Sequence, residues 1–184
     1  MYISTTANHA PGAERIGAPA FLVPRCSLVS RGFCLIYADI ENLVGGSAFV
    51  GVKSFELTLT LRTTMTSHRD KIIWSAGKNA RELAPTLQTE WDARNWRFVE
   101  PYQGVSGPDK SLVDDFFKNR DVLFAKRLIV LGGDAEFLPA AEYAIARGIE
   151  VTVIGLRGDT SKKFKEIGVN VVELSTLYGL EKLL

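Results

Sequence analysis

Two stretches of the chain carry acids at the end of an apolar run. Phe33-Cys34-Leu35-Ile36-Tyr37-Ala38 leads into Asp39-Ile40-Glu41-Asn42, and Leu128-Ile129-Val130-Leu131 leads through Gly132-Gly133 into Asp134-Ala135-Glu136-Phe137. Consecutive apolar residues of this length read as strands buried on both faces, the signature of a parallel sheet covered by helices. The glycine pair permits a tight turn, and the apolar spacing from Phe137 to Arg147 is that of a helix. A carboxylate at the carboxyl end of such a strand stands where open α/β sheets keep their ligand sites.

In a sheet of this kind the loops that follow the strands emerge at one edge. Here that edge collects Asp39, Glu41, Asn42, Lys78, Asn79, Arg81, Asp109, Asp134, Glu136, Arg157, Lys162 and Lys163. Carboxylates gathered there raise one another's pKa, so a stable cluster implies protons or a cation. Oxygen ligands without His or Cys favour Mg2+ or Mn2+ over zinc or copper. Mg2+ often binds through a few carboxylates plus a substrate phosphate, so the chemistry indicated is phosphoryl transfer with a metal-activated water. The basic residues on the same rim can hold a polyanion.

Each of these residues also has a plainer explanation. Asp after a strand favours turns and helix caps, and Asp109 by itself reads as an N-cap. Asp114, Asp115 and Glu41 read as solvated charges, and Asn42 as a residue closing its own turn. Lys78, Arg81, Lys162 and Lys163 taken singly read as solvated, and Trp74, Trp91 and Trp96 as packing residues rather than base-stacking platforms. Asp39, Asp109 and Asp134 on one edge together favour a site over separate caps.

The elements that must position them follow in order. Strands are expected over Phe33–Ala38, Lys71–Ser75, Trp96–Glu100, the run ending at Leu131, Glu150–Gly155 and Asn170–Leu174. Helices are expected over 48–64, 80–91, a segment opened by Asp109, 137–147, Ser161–Ile167 and the tail 175–184. In the 48–64 segment Phe55, Leu57, Leu59 and Leu61 alternate as in a strand. A helix is chosen there because a parallel neighbour to the first strand needs a long crossover. Strands alternating with helices give an α/β fold, a three-layer α/β/α arrangement around a mainly parallel sheet. Residues 1–30 lack periodicity and read as a flexible or loosely docked arm, leaving 31–184 as one domain.

The totals exclude several classes. The chain has 184 residues, 46% of them hydrophobic and 23% charged, which suits a globular domain with a substantial core. A net charge of +1 argues against strong overall attraction to nucleic acid but leaves local patches open. Cys26 and Cys34 have no paired spacing, so neither zinc nor a disulfide framework is expected, and a reducing, cytoplasmic location fits. His9 and His68 lie away from both acid-tipped strands, which disfavours Ser/His/Asp catalysis. No GxxxxGK[ST] phosphate loop and no GxGxxG after the first strand occur. No apolar run approaches a membrane span, and no secretory signal is expected.

At its acidic tips the chain resembles the NYN family, the PIN-like metal-dependent ribonuclease domains. Asp39-Ile40-Glu41-Asn42 matches that family's Asp-x-x-Asn strand tip, and Asp109, Leu112 and Asp115 match its Asp-x-x-Leu-x-x-Asp helix start. Gly132-Gly133-Asp134-Ala135-Glu136-Phe137 matches its Ser-Gly-Asp-x-Asp-Phe strand end, with Gly132 in place of Ser and Glu136 in place of Asp. The resemblance runs from Phe33 to about Leu174 and implies a PIN-like, Rossmann-like topology. It implies a Mg2+- or Mn2+-dependent ribonuclease cleaving single-stranded or structured RNA. Asp39, Asp109 and Asp134 would hold one or two ions, Asn42 would shape the site, and Glu136 and Asp115 would be further acids. Lys78, Arg81, Arg157, Lys162 and Lys163 would bind RNA. The departures at Gly132, Ala135 and Glu136 leave open a non-cleaving RNA- or protein-binding module, and a metal-dependent phosphatase is a third reading. A homo-oligomer is compatible with the sequence.

Overall fold

Leu35, Ile36, Tyr37 and Ala38 are each fully buried, so strand β1 (Phe33–Asp39) has no solvent face and must lie inside the sheet. The structure is a computed structural model, and it describes residues 32–42, 69–77, 89, 96–155 and 160–173. β1 is followed by β2 (Lys71–Ser75), β3 (Arg97–Phe98) and helix α1 (Gly107–Lys118). A 3-10 turn (Arg120–Phe124) leads into β4 (Ala125–Leu131), and a second (Ala135–Phe137) into helix α2 (Leu138–Ala146). The described chain ends with β5 (Glu150–Gly155), the one-turn helix α3 (Lys163–Glu166) and β6 (Asn170–Glu173).

The six strands form one sheet in the order β3-β2-β1-β4-β5-β6, every pair parallel. The order reverses between β1 and β4, the topological switch point at which open α/β sheets bind their ligands. Register places Asp39 opposite Ser75 on β2 and Ala38 opposite Leu131 on β4, so both acidic tips leave the same edge side by side.

Alternation along the strands sorts the core into two layers. Leu35, Tyr37, Leu128, Val130, Val151 and Val153 pack with Leu112 and Phe116 of α1, Ala140 and Ala144 of α2, and Phe164 of α3. The opposite face carries Ile36, Ala38, Ile72, Trp74, Ile129, Leu131 and Ile154, all buried, with Trp96 and Phe98 against them. Trp74 and Phe98 meet at 4.7 Å between ring centroids, and Trp74 Nε1 donates to the Trp96 carbonyl, so these tryptophans pack rather than offer a surface.

The expected strands at β1, β2 and β5 appear with bounds within one residue. β3 is shorter than the expected Trp96–Glu100. Among the described residues it pairs with β2 alone, one further bond runs from Val99 N to the Trp74 carbonyl, and Pro101 then brings no N–H. α1 starts at Gly107 with Ser106 at its N-cap, so Asp109 sits in the first turn instead of capping it, and Pro108 supplies the fixed φ that a helix start favours. The helix expected over Ser161–Ile167 is a single turn, because Gly168 leaves it with φ 81° and β6 begins two residues later. The expectations for the arm 1–30, the helix over 48–64 and the tail 175–184 lie outside the described residues, as does the helix over 80–91 apart from the helical Thr89. Among the described residues no helix is long and apolar enough to cross a membrane.

Candidate metal centre

β1 delivers Asp39 at its last position, and the chain turns helical at once over residues 40–42. That turn lets the Glu41 N–H donate to Asp39 Oδ1 at 2.8 Å, which fixes one carboxylate oxygen. β4 delivers Asp134 through Gly132, whose φ of 138° is a conformation L side chains rarely adopt. Gly132 lies against the Asp39 and Asn42 side chains, with an added Cβ reaching 3.5 Å from Asp39 Cβ and 3.4 Å from Asn42 Nδ2. A serine at this position would be strained by that backbone conformation. The Asn42 amide donates to Asp134 Oδ2 at 3.1 Å, joining the two strand tips across the switch point.

α1 brings the third acid from one face of the sheet. Asp39, Asp109 and Asp134 each place one carboxylate oxygen within 4.8 Å of the others. Asp39 is 2% and Asp109 3% exposed. Burial and neighbouring carboxylates act together on these groups. Burial raises the Asp39 pKa above its ordinary value, against hydrogen bonds from Asp109, Glu41 and Asn42 that lower it. Asp109 is pushed up to about 9 by burial first, then by the Asp39 charge and the hydrogen bond between them, then by the charges of Asp134 and Glu136. Without a cation, Asp109 therefore keeps its proton at neutral pH and shares it with Asp39.

Asp109 Oδ1 is buried and, among the described residues, the one buried side-chain oxygen or nitrogen with no hydrogen-bond partner. Leaving a buried acceptor unpaired costs ~1–3 kcal/mol. A divalent cation fits the residues present. It would satisfy that oxygen, draw the proton off the Asp39–Asp109 pair and replace carboxylate repulsion by attraction.

The remaining nominated residues divide. Asn42 belongs to the centre through Asp134. Glu136 is exposed in the 3-10 turn after Asp134 and acts on Asp109 by its charge. Asp115 does not join the cluster. Arg97 grips both of its oxygens at 2.5 Å, and the Tyr37 hydroxyl donates to Oδ2 at 3.0 Å. Lys162 and Lys163 are exposed, on a segment tied to the Asp134 loop by the Ser161 N–H donating to the Gly133 carbonyl at 2.8 Å. Lys78, Arg81 and Arg157 lie outside the described residues.

The sequence reading missed two polar groups around the acids. Tyr37, Arg97 and Asn119 form one, with the Asn119 amide donating to the Tyr37 hydroxyl at 3.0 Å. Strand alternation signals only that Tyr37 shares a face with Asp39. The other is Ser75 and Ser111, both buried, 3.4 Å apart. The Ser111 hydroxyl donates to the Pro108 carbonyl at 2.8 Å, so Ser75 is the donor between them, and the first turn of α1 is tied to the end of β2.

No protein-family model matches the chain, and no curated protein matches it either. Among solved structures it is similar to a protein of unknown function, VPA0982, from Vibrio parahaemolyticus, at 18% sequence identity and a TM-score of 0.54. The match covers 78% of this chain and 93% of that one. At that identity the likeness bears on the fold alone, and the shared fold is α/β.

Proposed function

We propose that this chain is a Mg2+- or Mn2+-dependent ribonuclease of the NYN type, hydrolysing RNA phosphodiester bonds, and that it works in the cytoplasm. The observation that carries the reading is that Asp109, with its buried Oδ1 unpartnered, comes together with two further carboxylates at the switch point of a parallel sheet. Asp39, Asp109 and Asp134 would hold the cation, which when bound supplies a water activated for attack on phosphorus and a positive charge against the phosphate. Asn42 orients Asp134 through its amide, and the Glu41 N–H orients Asp39. Gly132 lets the β4 exit pass close to Asp39. Lys162 and Lys163, beside the Asp134 loop, give the RNA backbone a cationic border.

The test is cleavage of single-stranded and structured RNA, with and without Mg2+ or Mn2+, by wild type, Asp39→Asn and Asp134→Asn. Residues that merely orient metal ligands cost 10–100-fold when lost, so loss of a ligand should lower cleavage by at least about a hundredfold. Unchanged metal-dependent cleavage in either variant would remove the assignment. A second reading, a binding module of the same fold that no longer cleaves, is favoured by Asp115 being taken up by Arg97 and Tyr37. Calorimetric titration with Mn2+ separates the two. Stoichiometric binding abolished by Asp134→Asn supports the enzyme, and no binding supports the module.

A further inference from the structure

A pair of buried acids at one sheet edge needs a contact elsewhere to set how closely they approach. Helix α1 meets β1 at two polar points. Near its start Asp109 faces Asp39, and two turns later Asp115 accepts the Tyr37 hydroxyl proton at 3.0 Å. Tyr37 and Asp39 are two residues apart on one face of β1, about 7 Å along the strand. Asp109 and Asp115 are six residues apart, about 9 Å along the helix. The upper point brings two acids together. The lower one is favourable throughout: Arg97 grips both Asp115 oxygens from β3, and Asn119 at the helix C-cap donates to the Tyr37 hydroxyl. Leu112, between the two points, and Phe116, just past the second, pack into the core and resist lifting of the helix off the sheet. The planar Arg97–Asp115 pair adds a directional contact that fixes where the helix lies along its own axis.

We propose that Arg97, Tyr37 and Asp115 form a lock that holds α1 in the register presenting Asp109 to Asp39, so that a divalent ion meets a preformed set of oxygens. This rests on the metal reading above. It makes Asp115 a positioning residue and not a ligand, since both its oxygens are already engaged and its carboxylate lies outside the three-acid cluster.

The experiment measures Mn2+ affinity by calorimetry for wild type, Tyr37→Phe, Arg97→Ala, Arg97→Lys and Asp115→Asn, at a temperature where circular dichroism shows each variant folded. The lock predicts that Tyr37→Phe and Arg97→Ala weaken Mn2+ binding about tenfold or more, the loss typical of residues that orient metal ligands. Arg97→Lys keeps the charge without the fork and should fall between Arg97→Ala and wild type. Asp115→Asn should lose no more than Arg97→Ala, because both break the same pair. Full affinity in folded Tyr37→Phe and Arg97→Ala would overturn the lock, as would a loss in Asp115→Asn far beyond that in Arg97→Ala. If wild type binds no Mn2+, the metal reading fails, and the crystal structure of Arg97→Ala decides the lock separately. A slide of α1 along β1 by about one helical residue, 1.5 Å, supports it; an unmoved helix overturns it.

Discussion

Replacing Asp109 by Asn should stabilise the metal-free protein, and the gain should grow as the pH rises. Asp109 has a folded-state pKa of about 9 against an ordinary value of 3.8. Between those limits the folded state binds the proton and the unfolded chain does not. Folding stability therefore has a negative slope with pH, fully present below about 4 and lost progressively as the pH climbs towards 9. The slope reaches at most about 1.4 kcal/mol per pH unit for one group. Burial also raises Asp39, with the same sign. Asn cannot ionise, so the difference between variant and wild type isolates the contribution of the acid from other titrating groups. The assay is urea unfolding in EDTA at pH 5, 6, 7 and 8, for wild type and Asp109→Asn. Mn2+ should narrow the gap between the two proteins. At a hundred times its dissociation constant it adds about 2.7 kcal/mol to a protein that binds it, and Asp109→Asn should gain little of this. A stability difference that is flat from pH 5 to 8 would refute the proton held between Asp109 and Asp39. Equal stabilisation of both proteins by Mn2+ would refute Asp109 as a ligand.

Gly132→Ser, which restores the residue carried by the family resemblance, should lower stability by about 1–2 kcal/mol because it forces a side chain onto φ 138°. Urea midpoints measure this, and cleavage should not rise, since the obstacle is backbone conformation and the neighbours at 3.4–3.5 Å are in ordinary contact. Lys162→Ala with Lys163→Ala should weaken single-stranded RNA binding and reduce the slope of log affinity against log salt by about 1.4, two phosphate contacts at roughly 0.7 each. Mn2+ affinity should stay as in wild type, because neither lysine reaches the three carboxylates. A fall in Mn2+ affinity, or an unchanged salt slope, would count against their place on the RNA path.

The strands were legible because burial on both faces leaves an unbroken apolar run, as in Leu128–Leu131, and little else in a chain of this composition does so. Their order was not legible. Periodicity reports which face a residue takes, whereas the neighbours of β1 are chosen by crossovers that a single sequence does not specify. Asp109 shows the same division. Its helix was readable from Leu112 and Phe116, but a capping role rests on local preference, and the Gly107-Pro108 start begins the helix three residues earlier. Asp115 sits at a spacing that suggests a site acid, yet its role is set by Arg97, eighteen residues earlier on another element. Such partners leave no trace in local pattern. Tyr37 was readable as core, but its hydroxyl's partners are 78 and 82 residues away.

The plain explanation for acids at strand ends is that they cap helices, and the geometry separates the three on that point. Asp39 does accept a backbone N–H, from Glu41. Asp109 caps nothing, since Ser106 holds the cap position of α1. Asp134 occupies the cap position of its 3-10 turn but makes no side-chain cap bond, its Oδ2 accepting from Asn42 instead. Two of the three carboxylates therefore draw no capping benefit. Asp109 stands where burial and the neighbouring carboxylate charges both act against its ionised form, and its Oδ1 is left unpaired. A hydrophobic residue at Asp109 would remove that cost, in a helix whose neighbouring sheet-facing residues, Leu112 and Phe116, are already apolar. Local arrangements that oppose stability and have no structural return concentrate at functional sites. This one lies where β1 and β4 diverge, and the Asn42 and Asp134 that meet there are 92 positions apart in the chain. The carboxylate charges that raise the Asp109 pKa are also what would draw a divalent cation to this point.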